Sequence, residues 1–84
     1  MEIKTALEGS EACDKLRKDL SKLRYNPDLK KMLKNIISMV TELSKLEVTC
    51  RRTPSKHILE TPLKNLNDSI THLEKLILIA KLVD

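Results

Sequence analysis

From Leu29 to Leu46 the apolar residues fall at three- and four-residue steps: Leu29, Met32, Leu33, Ile36, Ile37, Val40, Leu43 and Leu46. Only an α-helix lines such residues up on one side, because its period is 3.6 residues. A strand would need alternation. The spacing therefore predicts a long amphipathic helix that opens at Pro27, with Asp28 in its first turn facing the helix dipole. It is expected to end near Glu47 or Val48. Val48-Thr49-Cys50 then reads as a break, since nothing else in the chain offers a strand to pair with it.

Three prolines punctuate the rest, each behind a residue suited to capping: Asn26-Pro27, Thr53-Pro54 and Thr61-Pro62. Asn and Thr side chains accept from the orphan N–H groups of a first turn. Proline next to them needs no donor there and has its φ already set. The three pairs predict three helix starts and exclude one continuous coiled coil. A first helix is expected from about Ser10 to Arg24, with Cys13, Leu16, Leu20 and Leu23 on one stripe. Residues before Gly9 read as a leader or an extra turn, for which Thr5 and Glu8 fit a capping box. A short helix follows from Pro54 to about Glu60. Another starts at Pro62 with Leu63 and Leu66 inward, and Asn67-Asp68-Ser69 interrupts it. The last helix runs from Ile70 to Val83, with Ile70, Leu73, Leu76, Ile77, Ala80 and Val83 on one side. Leu78, Ile79 and Leu82 fall off that side, as on a helix that is central or covered by a partner.

The expected fold is thus all-α, a compact bundle of four to five short helices. Residues 1–9 form an N-terminal leader and 10–84 a single domain. At 84 residues the stability margin is thin, so the core must be well-packed aliphatic side chains or be helped by a partner. With 40% apolar residues there are enough of them, and too many for a disordered tail. No apolar h-region opens the chain, and Leu76–Ala80 is far shorter than the roughly 20 residues a membrane span needs. The two cysteines, Cys13 and Cys50, read as reduced thiols of an intracellular protein.

Little in the chain points to chemistry. His57 and His72 with Cys13 and Cys50 match no zinc-ligand spacing, and no CxxC pair occurs. A Cys–His nucleophile would need an orienting group and an oxyanion hole, for which a chain with one glycine has little loop. No phosphate-binding glycine loop is present. The reading is of a non-enzyme without metal or cofactor. The net charge of +4 fits a nuclear setting or an acidic partner. Arg51, Arg52 and Lys56 form a basic patch beside Thr53-Pro54-Ser55, and Lys30, Lys31 and Lys34 a second run on the outer face of the long helix. Tyr25 is the one aromatic residue, which leaves no stacking platform for single-stranded nucleic acid.

The segment VTELSKLEVT (residues 40–49), then a basic loop, then ILETPLKNL (residues 58–66), resembles the TFIIS N-terminal domain family. It is most similar to that family's integrase-binding-domain branch. The resemblance covers about Cys13 onward. It implies a right-handed bundle of about five helices that binds short disordered peptides at inter-helical loops at one end, in transcription and chromatin factors. Carried onto this chain, the first loop is Tyr25-Asn26-Pro27-Asp28, with Asp28 accepting peptide N–H groups. Leu29 and Met32 floor the pocket. The second loop is Asn67-Asp68-Ser69-Ile70, with Ile70 as its apolar wall. The leading expectation is a nuclear peptide-binding adapter. A second is an assembly subunit whose Leu78, Ile79 and Leu82 are covered by another copy or another chain. A third is a basic domain that binds nucleic acid through residues 51–56.

Overall fold

The structure, a computed structural model, describes residues 2–24, 27–52 and 56–83, without the side chains of Arg52 and Lys56. The described chain is all-α, with no strand. Three helices carry it: α1 (Ala6–Ser21), α2 (Pro27–Arg52) and α3 (Glu60–Val83), with one 3₁₀ turn, Lys56–Leu59, between the last two. The expected count of four to five short helices is therefore corrected to three.

The correction has local causes. Pro62 does not start a helix of its own. It sits at the third position of α3, where the missing N–H would have had no intrahelical partner anyway. The break expected at Asn67-Asp68-Ser69 is also absent, because tertiary structure uses the polar side chain that suggested it. Asn67 Nδ2 donates to the carbonyl of Leu63, one turn back, at 2.9 Å. Its remaining groups are taken by the N-terminal segment. Likewise α2 does not stop at Glu47 or Val48 but runs to Arg52. Thr49 Oγ1 bonds to the carbonyl of Lys45 at 3.2 Å, so the residue that argued for a break decorates the helix instead. Thr53-Pro54 lies outside the described residues.

The first helix begins at Ala6 rather than Ser10. Thr5, extended at φ −137° and ψ 161°, caps it by accepting from the backbone N–H of Glu8 at 3.2 Å. The Thr5 hydroxyl donates to Glu8 Oε1 at 3.3 Å, so the two residues hold each other across the first turn. At the other end the N–H of Leu23 bonds to the carbonyl of Leu20 at 3.1 Å, a 3₁₀ tightening that closes the helix.

The helices run up, down and up. The start of α1 lies beside the end of α2 (Ala6 to Glu47) and the first turns of α3 (Ile3 to Asn67). Its end lies beside the end of α3 (Asp19 to Lys81). Helices of 26 and 24 residues are ~36–39 Å long at 1.5 Å per residue. They give a rod of 48 × 17 × 15 Å rather than the compact shape expected. Its radius of gyration, 14.0 Å, exceeds the ~12 Å of a round domain this size. The core runs along the axis, through Ile3, Ala6, Cys13, Leu16 and Leu20 against Leu33, Ile36 and Leu43, closed by Leu66, Ile70, Leu73 and Ile77. Apart from the Cys13 thiol it is aliphatic, and among the described residues no polar or charged one is buried.

Candidate functional site

At the end where α1 begins, polar side chains grip backbone. Asn67 faces Ile3 with its whole amide: Oδ1 accepts from the Ile3 N–H at 2.7 Å, and Nδ2 donates to the Ile3 carbonyl at 2.9 Å. One side chain thus satisfies both backbone polar groups of Ile3. This holds the Ile3 side chain in the core, 2% exposed. Glu47 Oε2 accepts from the Ala6 N–H at 2.9 Å. That places a carboxylate at the positive end of the α1 dipole and fills a donor the helix cannot satisfy itself. Gly9 lets this end close. A Cβ there would lie 3.0 Å from Val40 Cγ2 and 3.2 Å from Leu66 Cδ2.

The residues expected to bind a partner do not gather at one end. Tyr25 and Asn26 lie outside the described residues. Asp28 is exposed in the first turn of α2, and Leu29 is buried under it. Met32 is half-buried and lines a small cavity with Asn35, Ile36, Met39, Ser69 and His72. The second expected loop, Asn67 to Ile70, is interior to α3. Asp68 is exposed on that helix. Ile70 faces the opposite way, buried where α1 and α3 meet, near Ile3, Ala12 and Leu16. Ser69 lies level with Ile36 and Met39, so Asp28 and Asp68 are separated by roughly three helical turns along the rod.

Arg51 is exposed at the far end of α2 and borders an open hollow with Thr5, Leu7, Glu47, Cys50 and Leu59. The side chains of Arg52 and Lys56 lie outside the described residues. His57 and His72 are exposed, Cys13 is buried and Cys50 half-buried. Among the described residues no three His, Cys, Asp or Glu side chains come together as a metal site. Burial, and then the Asp14 carboxylate, raises the Cys13 thiol above its ordinary 9.0, with Arg17 opposing. At neutral pH Cys13 is an inert, protonated part of the core. No described helix is long and apolar enough to cross a membrane.

Two surfaces stand out. On the last two turns of α3, Leu78, Ile79, Leu82 and Val83 are 61, 56, 81 and 84% exposed. Charge is distributed unevenly as well. Residues 15–34 carry eight cations (Lys15, Arg17, Lys18, Lys22, Arg24, Lys30, Lys31, Lys34) against Asp19 and Asp28, an excess of six. The remaining residues hold eight cations and ten carboxylates, a deficit of two. The positive excess of the chain therefore sits on the second half of α1, the turn after it and the opening of α2. A charge count in windows finds this region, whereas a search for runs of adjacent basic residues singles out residues 51–56. No protein-family model, curated protein or solved structure matches the chain.

Proposed function

We propose that this chain is a non-catalytic protein-interaction module, a three-helix rod that holds another polypeptide against the end of its third helix. The observation that carries the reading is the apolar cluster of Leu78, Ile79, Leu82 and Val83, uncovered on a helix whose other side is already packed. Single exposed aliphatic residues are ordinary, but a contiguous group of four on a domain this small is the signature of an interface. Covering it would contribute ~25 cal/mol for each Å² of apolar surface removed from water. A helix laid along α3 would do so by the same ridge-into-groove packing that joins the three helices.

The test is a pair of measurements on the intact chain and on the double variant Leu78→Glu, Leu82→Glu. Sedimentation across a wide concentration range reports self-association, and affinity capture reports other partners. The variant should keep its helical content and melting temperature, since both side chains are exposed, and lose the association. A monomer at every concentration whose captured partners are unchanged in the variant would refute the reading.

The resemblance to TFIIS N-terminal domains extends the proposal. It would make the module a nuclear adapter whose partner is a disordered peptide of a transcription or chromatin factor, with Asp28, Leu29 and Met32 at the contact. That extension rests on the sequence pattern. Asp28→Ala tests it, since the substitution removes an exposed carboxylate without disturbing the core. Peptide capture that survives the change would remove the role assigned to Asp28.

A further inference from the structure

A groove of about 470 Å³ runs along the seam between the second half of α1 and the first half of α2. Its floor is Leu20 and Leu33, both core residues, with half-buried Ile37. Its rim is Arg17 on one side and Lys30 and Lys34 on the other. We propose that this groove docks an acidic amphipathic helix from a partner protein, with apolar anchors on the floor and carboxylates on the basic rim. The inference is independent of the reading of α3, because none of its residues lies on that helix.

Charge complementarity selects the occupant. Lys30 and Lys34 stand one turn apart on the same side of α2, a like-charge spacing that disfavours a helix unless an anion lies between. The ion pairs of the described residues give neither of them a carboxylate, and Arg17 meets only an exposed Asp14 at 3.5 Å on its own helix. The three cations of its rim also lie within the stretch that carries the chain's positive excess, residues 15–34. An anionic ligand is therefore drawn to this seam by the general field and held by three specific cations.

The apolar floor decides between anionic ligands. Nucleic acid would place phosphates over Leu20, Leu33 and Ile37, and among the described residues that line the groove none is aromatic to stack a base. A membrane surface is flat, and the apolar groups here lie at the bottom of a seam. Among the described residues the exposed large apolar side chains, Leu7, Val48, Leu78, Ile79, Leu82 and Val83, are all elsewhere. A helix fits both features, since it can lower one apolar stripe into the seam and keep Asp or Glu on both flanks. From Lys30 to Ile37 α2 rises ~10 Å, which accommodates two anchors spaced i and i+4. The product is a four-helix arrangement completed in trans.

The experiment titrates the full chain with a synthetic helical peptide carrying leucines at i, i+3, i+4 and i+7 and glutamates on both flanks. Affinity is read by calorimetry and the site by amide chemical shifts. Binding that shifts residues of the Arg17–Ser21 and Lys30–Ile37 segments is expected. Lys30→Glu with Lys34→Glu should weaken it about 10-fold or more at low salt, with an unchanged melting temperature. A peptide of equal charge with serine for leucine should lose a similar factor, because it cannot reach the floor. The Leu78→Glu, Leu82→Glu variant should bind as the original chain does, which separates this site from the α3 face. Absence of peptide binding, equal binding of the serine peptide, or shifts confined to α3 would overturn the proposal. So would a DNA duplex, or vesicles of phosphatidylcholine and phosphatidylserine, that bound the groove more tightly than the leucine peptide.

Discussion

The two ends of the rod are held by different forces. Where α1 begins, Asn67 and Glu47 grip the backbone of Ile3 and Ala6 across sequence distances of 64 and 41 residues. Gly9 there lets α1, α2 and α3 approach to van der Waals contact. Where α1 ends, an ion pair joins Lys81 to Asp19 between helices, at 4.0 Å and partly solvated, and the surrounding surface is strongly basic. Directional bonds fix register, whereas like charges spread on a surface repel one another and await a counter-charge. One end sets how the helices align, and the other is left available.

Cavity mutations at the two ends give the largest test of this contrast. Leu66→Ala, at a side chain with 0% exposure beside Gly9, should cost ~2–5 kcal/mol in urea unfolding. Leu29→Ala, 8% exposed in the first turn of α2, should fall at or below the bottom of that range, because the open end can relax around the gap. Equal losses would mean that the ends are equally rigid.

Asn67→Leu comes next. It keeps the helix but strips the Ile3 N–H and carbonyl of their partners, and leaving such groups unmade costs ~1–3 kcal/mol. Hydrogen exchange at Ile3 should accelerate more than the global loss of stability explains. An unchanged exchange rate would show that the side chain of Ile3, rather than the amide of Asn67, anchors the segment.

Gly9→Ala sets two effects against each other. Alanine favours a helix over glycine by ~1 kcal/mol. Its Cβ, however, would meet Val40 and the fully buried Leu66 at 3.0 and 3.2 Å, and overpacking costs ~1–3 kcal/mol. A net loss of ~1 kcal/mol is expected, seen as a lower melting temperature. A gain would show that this end still has slack. The smallest effect belongs to the open end, where Asp19→Asn should change stability by less than ~1 kcal/mol, because its ion pair with Lys81 is long, at 4.0 Å, and partly solvated.

Much of the architecture was legible residue by residue. The ladder from Leu29 to Leu46 announced α2 and Pro27 its start, whereas the Thr5–Glu8 capping box was assigned to a leader or extra turn and in fact opens α1 itself, four residues before the expected Ser10. The errors share one cause. Asn67, Thr49 and Pro62 were read by what they do in isolation, as a turn former, part of a helix break and a helix starter, and each is absorbed into a helix here. A propensity of under ~1 kcal/mol yields readily to a tertiary bond or a first-turn position. The candidate groove shows the same limit. Lys30 and Lys34 were visible as a basic run on an outer face, but only the packing of α1 beside α2 sets them opposite Arg17 over an apolar floor.

The sequence by itself determined that this chain is helical, that its core is aliphatic and that it carries a positive excess, because periodicity, side-chain type and charge are local properties. Tertiary structure decided the number of helices, the anchoring of Ile3 and the meeting of three cations at one seam. Those depend on pairs of residues far apart in the chain, and no local pattern encodes which of them will touch.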